Sequence, residues 1–306
     1  MKRVTWIILL LAAAATPAFA ELKVVATLTD LGRVAEAVGG DDVDVEVLCP
    51  GGRDPHYLPA KPSLARKLGK ADLLCYNGFE LEIGWLPQLI EKARNPRVRP
   101  GAPGDLDCSA AVVHPLELPH GPTDRGQGDV HPLGNPHYSL DPRLLADVGR
   151  LMAERMAQLD PPSADAYRER SERFAAEVAA RLPDWGSRVA LLQGRPVIIY
   201  HRQWSYLVDW LELNVVAEIE HRPGIAPSPR HVQEVIHMGR ELDGPIVVAA
   251  AWDHLDVAAE VAERIGAPLA VLPGYSGAQE GTDDYFDFID CICGRLQEAA
   301  ATAGGE

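Results

Sequence analysis

Short runs of aliphatic and β-branched residues alternate with amphipathic stretches along this chain, and the alternation occurs twice. In the first half, Lys23 to Leu28 predicts a strand, Leu31 to Val38 a short helix closed by Gly39-Gly40, and Val43 to Leu48 a second strand. Ser63 caps a helix carrying Leu64 and Leu68. Leu73 to Tyr76 reads as a third strand ended by the Asn77-Gly78 turn, and Leu81 to Ala93 fits another amphipathic helix. In the second half, Val197 to Tyr200, Val215 to Ile219, Ile246 to Ala250 and Leu269 to Leu272 read as strands. Helical stretches lie among them, including Ser228 to Leu242 and Val257 to Ile265, and a last helix runs from about Asp284 to Ala300. Such βαβα order predicts an α/β fold of mostly parallel sheets flanked by helices.

The middle of the chain separates the two series. Gly101 to Pro136 is rich in Gly, Pro, Asp and His, and Pro115 to Gly134 reads as an exposed loop. Helical patterning returns at Leu144, Leu145, Val148, Leu151, Met152 and Met156, and Pro161-Pro162 interrupts it. Ser163 then caps a long helix with Tyr167, Phe174, Val178 and Leu182 on one face, supported by the i,i+4 pairs Glu169–Arg173 and Glu177–Arg181. The expected division is an N-terminal lobe over 21–160 containing the loop 115–134, a linker-helix region over 161–190, and a C-terminal lobe over 191–306. Two lobes joined this way leave a cleft between them, where ligands commonly bind.

The N-terminus carries an export pattern. Met1-Lys2-Arg3 is basic, Ile7 to Ala15 is apolar, and Ala18-Phe19-Ala20 fits a cleavage site. The apolar run is shorter than the ~20 residues a membrane span needs. Residues 1–20 are therefore expected to be a signal peptide cleaved near Ala20, with the mature chain in the periplasm. Glu21, not Cys, stands directly after Ala20, so lipid anchoring is not expected. Cleavage removes two positive charges, taking the formal charge from -15 to -17. That acidity argues against nucleic acid, whose affinity comes largely from Lys and Arg on phosphates. Five cysteines leave at least one thiol without an intramolecular partner. Buried structural roles are expected for Cys49, Cys75 and Cys108, and Cys291 and Cys293 diverge on a helix.

Four segments at strand ends or helix starts carry groups suited to metal. They are Asp54-Pro55-His56, Asn135-Pro136-His137, His201 after Val197 to Tyr200, and Thr282-Asp283-Asp284-Tyr285. In open α/β sheets ligands gather at the carboxyl ends of strands. Each segment has an ordinary structural reading beside the functional one. A His at a strand end is commonly hydrogen-bonded in place, and Thr-Asp-Asp at a helix start is commonly a cap.

Over nearly its whole mature length the chain resembles the zinc- and manganese-binding proteins of ABC importers. The resemblance is carried by Val25-Ala26-Thr27, Asp54-Pro55-His56, Lys70-Ala71-Asp72-Leu73 and Tyr76-Asn77-Gly78. It continues through Asn135-Pro136-His137 with Leu140-Asp141-Pro142, His201, Pro223-Gly224-Ile225 and Asp283-Asp284-Tyr285. It implies two α/β lobes joined by a rigid helix, with the metal in the cleft. It places the four ligands on His56, His137, His201 and Asp283, with Asp284 as the competitor of Asp283. Arg53 and Asn135, beside ligand positions, are expected to tune them from behind.

Three imidazoles and one carboxylate complete a tetrahedral shell for Zn2+, whereas manganese prefers more oxygen and copper(II) also accepts imidazole. Manganese members of the family usually carry a carboxylate where His201 stands. The expected cargo is therefore one Zn2+ at one tight site, passed by a monomeric protein to an ABC transporter permease. His114, His120 and His131, with Asp124 and Asp129, read either as a low-affinity zinc collector and docking point for a zinc-donating chaperone, or as a solvated loop. His221, His231 and His237 have no ligand signature. The alternatives are a manganese-binding or adhesin-type protein of the same fold, and a zinc hydrolase. The chain contains neither H-E-x-x-H nor G-x-S-x-G, so no enzyme is expected.

Overall fold

The computed structural model describes residues 21–119, 128 and 130–303. The expected signal peptide, His120, Asp124 and Asp129 lie outside the described residues. The first sheet holds β1 (Leu22–Ala26), β2 (Val43–Val47), β3 (Leu73–Tyr76) and β4 (Asp105–Asp107), in the order β2-β1-β3-β4. All its pairings are parallel. Helices α1 (Thr29–Gly39), α2 (Pro62–Leu68), α3 (Leu86–Ala93) and α4 (Pro142–Leu159) belong to this half. Helix α5 (Ala164–Arg188) follows, 25 residues long and so about 37 Å from end to end. The second sheet repeats the first: β5 (Pro196–Ile199), β6 (Asn214–Glu218), β7 (Ile246–Ala250) and β8 (Leu269–Leu272) run parallel in the order β6-β5-β7-β8. Helices α6 (Ser205–Leu211), α7 (Pro229–Gly239), α8 (Leu255–Ile265) and α9 (Tyr285–Ala303) accompany it. No helix of the described residues is long and apolar enough to cross a membrane.

The strand order sets where a ligand can sit. From β1 the chain crosses to one side for β2 and to the other for β3, and β5 behaves likewise toward β6 and β7. Loops leaving the strand ends diverge at such a point and open a crevice. Three polar contacts join the halves near it. Ser276 donates its N–H to buried Asp30 at 2.7 Å, Tyr285 donates its hydroxyl to the Ser139 carbonyl at 2.7 Å, and Asn135 donates its amide to the Arg202 carbonyl at 2.9 Å. Behind them Phe174 of α5 packs on Phe286 of α9, with ring centroids 5.3 Å apart. Gly51 lies so close to the second half that a Cβ there would fall 2.0 Å from the Ser276 carbonyl oxygen.

Two expected elements differ. The helix over Leu81 to Ala93 starts only at Leu86, because Glu82 turns inward. Its carboxylate accepts from the Thr27 hydroxyl at 2.6 Å and the Asn77 N–H at 2.7 Å, which ties the ends of β1 and β3 together. Phe79 and Glu80 take positive φ angles of 49° and 63° to allow this. Strand β4 lies inside the Gly-, Pro-, Asp- and His-rich stretch from Gly101 to Pro136, where no strand is expected: it has three residues, and only Leu106 is buried. All five cysteines are free thiols, and Cys75 and Cys108 are fully buried.

Candidate metal centre

Strand register builds the first part of the site. Ile199 pairs with Glu218 across β5 and β6. The ladder continues past both strands, with the Glu220 N–H donating to the Tyr200 carbonyl at 2.9 Å. His201 and Glu220, each two residues beyond its strand, therefore stand side by side, and His201 Nδ1 hydrogen-bonds the Glu220 carboxylate. Beyond the next strand, β7, Asp253 accepts from the Ala250 N–H at 2.7 Å and turns its loop toward the same cavity.

The two Pro-His segments use one device. The His56 N–H donates to Asp54 Oδ1 at 2.9 Å, and the His137 N–H donates to Asn135 Oδ1 at 2.9 Å. Each is a turn closed by a side-chain oxygen, stiffened by the Pro between. The partners behind the rings differ. Asp54 Oδ1 also lies 2.7 Å from His56 Nδ1, whereas His137 Nδ1 meets the Tyr275 hydroxyl at 3.1 Å.

The three histidines gather. Ring centroids are 5.4 Å apart for His56 and His137, 5.9 Å for His137 and His201, and 6.4 Å for His56 and His201. They line a cavity of about 180 Å³ together with Asp54, Glu220, Trp252, Asp253 and His254. His131 joins them from the loop, its ring 5.2 Å from that of His56. Each Nδ1 is engaged from behind, so Nε2 is the nitrogen left for a metal. As they stand, no group of three or more His, Cys, Asp or Glu among the described residues is arranged to hold an ion. The rings surround the cavity without closing on a point.

The electrostatics suit a cation. Burial holds His137 well below the usual imidazole range, reinforced by the neighbouring His56, His201 and His131, so it stays neutral and able to bind. Burial also opposes charge on His201, but the Glu220 carboxylate outweighs it and the pKa is raised. Burial works against ionisation of Asp54 too, yet its bonds to His56 win and its pKa is lowered. Burial pushes Asp253 up to about 6.

The other expected residues are placed as follows. Asp283 is exposed, 3.8 Å from where a Gly277 Cβ would stand, and is not among the residues lining the cavity. Asp284 accepts from the Phe286 N–H at 2.7 Å and caps the start of α9. Arg53 is exposed, with its N–H donated to the Pro50 carbonyl at 3.1 Å. His114 is exposed. His221 and His231 pack ring on ring at 5.1 Å, and His231 Nε2 is 2.9 Å from the Glu218 carbonyl. Sequence reasoning missed Glu220, Asp253 and Tyr275 as site residues. Glu220 was findable only once β5 and β6 were known to be neighbours.

Residues 24–299 match the family model of ZnuA, described as zinc-uptake complex component A, periplasmic. The manganese ABC transporter substrate-binding lipoprotein PsaA of Streptococcus mitis is 27% identical over 157 residues, which is 50% of this chain and 47% of PsaA. The chain spans about half the length of the streptococcal relatives it matches. The high-affinity zinc uptake system protein ZnuA of Yersinia pestis is 23% identical over 226 residues, 71% of each chain. A crystal structure of ZnuA shares the fold with a TM-score of 0.74 at 23% identity, covering 92% of this chain and 99% of that one. Matched over that span and folded in the same way, the chain belongs to the ZnuA family of periplasmic metal-binding, substrate-binding components of ABC transporters.

Proposed function

We propose that the protein captures Zn2+ in the periplasm and delivers it to the permease of an ABC importer. One observation carries the choice of metal. His56, His137 and His201 surround one cavity, and each has its Nδ1 held by a fixed partner, namely Asp54, Tyr275 and Glu220. Metal-binding histidines typically donate their second ring N–H to such partners, which fixes the ring and raises its basicity. Nitrogen donors suit zinc, whereas manganese prefers carboxylates, carbonyls and water. The nearby carboxylates of Asp54 and Glu220 are engaged behind the rings, where they balance the charge of the ion. Asp283, the fourth donor of the family pattern, is exposed, so this reading depends on the three imidazoles. Capture and release need no bond-making step, and no catalytic role is assigned to any residue.

The test is a choice between metals. The mature chain is dialysed against equal concentrations of zinc and manganese, and the bound metal is measured. Zinc in near-exclusive excess is expected. Preferential retention of manganese would overturn the reading.

A further inference from the structure

Beyond β7 and β8 the register places two more residues side by side, as it does His201 and Glu220. Ala250 pairs with Leu272, so Trp252 and Gly274, each two residues past its strand, meet at the same end of the sheet. Gly274 makes room for the indole: a Cβ there would fall 1.8 Å from Trp252 Cη2 and 2.4 Å from Cζ2. The indole runs on over the next residue, stacked on the Tyr275 ring with centroids 5.8 Å apart and planes 19° from parallel. Tyr275 is buried, and its hydroxyl meets His137 Nδ1 at 3.1 Å. The chain beyond it is pinned as well. The Ser276 N–H donates to Asp30 Oδ1 at 2.7 Å, and the Gly277 N–H donates to the Thr282 carbonyl at 2.6 Å. Trp252 itself lines the cavity that His56, His137 and His201 share.

The three histidines are not held alike. The partner of His56 is Asp54 of its own loop, and that of His201 is Glu220, past the neighbouring strand of the same sheet. His137 belongs to the first half, and its partner Tyr275 follows β8 of the second. We infer that Trp252 and Tyr275 are positioning residues that hold His137 from across the cleft, Trp252 acting through the Tyr275 hydroxyl. This deepens the zinc-binding reading above and rests on it. A phenol tied only by its hydroxyl would keep rotamer freedom, which costs free energy to remove when an ion binds. The indole on its face removes that freedom beforehand. The imidazole behind which the hydroxyl stands is thereby fixed in orientation before the metal arrives. The same geometry has a consequence for release. Parting the halves carries Tyr275 away from His137, while His56 and His201 keep Asp54 and Glu220. His137 is then the ligand that loosens first when an importer draws the halves apart.

Competition with a chromophoric chelator gives zinc affinity on the mature chain, and stopped-flow transfer to the chelator gives the dissociation rate. Tyr275→Phe keeps the ring and the stack and removes only the hydroxyl. Its affinity is expected to fall about tenfold, the lower end for a group behind a metal ligand, mainly through faster dissociation. Trp252→Ala is expected to lose about as much, and Trp252→Phe, which keeps a flat ring over Gly274, to recover most of it. The double variant separates positioning from general packing. Trp252→Ala should add nothing in the Tyr275→Phe background, whereas two independent losses would multiply to about a hundredfold. Trp252→Leu fills much of the indole's space without a flat ring and replaces Trp252→Ala in the cycle if that variant fails to fold. The inference is overturned if Tyr275→Phe and Trp252→Leu bind and release zinc as the wild type does, or if the two losses multiply. His137→Ala tells the two readings apart. If it too binds zinc as the wild type does, the zinc site itself is misassigned. If it binds weakly while the Tyr275 and Trp252 variants are silent, this inference alone is refuted.

Discussion

Replacing Glu220 with Gln isolates one negative charge behind one proposed ligand, His201. Glu220 is 7% exposed and its carboxylate hydrogen-bonds His201 Nδ1. Gln keeps a carbonyl oxygen that can accept from the same N–H and removes only the charge. Hydrogen bonds to charged groups contribute about 1.5–3 kcal/mol against about 0.5–1.5 for neutral ones. The difference of about 1–1.5 kcal/mol corresponds to roughly tenfold in Kd. Glu220→Ala loses the bond as well, and the loss should approach ~100-fold, the upper end for groups behind metal ligands. Chelator competition at neutral pH measures both variants. Glu218→Gln is the control: Glu218 pairs with Arg202 at 2.7 Å toward the surface, and zinc affinity should not change. Acidification supplies an internal check. Glu220 raises the His201 pKa against the opposing effect of burial, so protons compete with zinc for His201 at higher pH in the wild type than in the variant. The ratio of affinities should therefore narrow as pH falls. The reasoning is refuted if Glu220→Ala binds zinc as tightly as Glu218→Gln does.

Three further outcomes follow from the same contacts. Asn135→Ala removes the acceptor of the His137 N–H and the donor to the Arg202 carbonyl; zinc affinity should fall about tenfold, and Asn135→Asp, which keeps Oδ1, should lose less in the same chelator titration. Glu82 has its pKa raised from 4.5 to about 7 because burial outweighs its bonds from Thr27, Asn77 and Gly78. The folded state thus binds this proton more tightly than the unfolded chain, so the stability it contributes is full below about 4.5 and is lost as pH rises through about 7. Glu82→Gln should flatten the fall of unfolding free energy over that window by about 3 kcal/mol, and parallel urea-denaturation curves for the two proteins would contradict this. Gly51→Ala places a methyl 2.0 Å from the Ser276 carbonyl oxygen; a loss of about 1–3 kcal/mol in urea denaturation is expected, with weaker zinc binding because the Asp54-Pro55-His56 loop is pushed off the second half.

Much of the fold was legible because the buried strands are short uninterrupted apolar runs, such as Ile246–Ala250, between strongly periodic helices. Strand β4 was not, since one buried leucine between two aspartates leaves almost no pattern. The late start of α3 escaped for a tertiary reason: Glu82 fits a helix locally, and only the ends of β1 and β3 call it inward. At the site, Pro-His segments and a His at a strand end marked His56, His137 and His201 as candidates. Their assignment to one ion came from family likeness, because nothing local links residues so far apart. Glu220 depends on the register of two strands that the sequence does not pair. His131 was grouped with a Gly-, Pro- and Asp-rich loop because local composition reads as solvated. Its partner, the Phe79 carbonyl, lies on a left-handed turn more than fifty residues away.

The most direct test of the central claim is zinc stoichiometry by native mass spectrometry, comparing the mature protein with the variant carrying His56→Ala, His137→Ala and His201→Ala together. One zinc retained per wild-type chain, and none in a triple variant that still folds, is the predicted result. Equal zinc retention by the two proteins would contradict it.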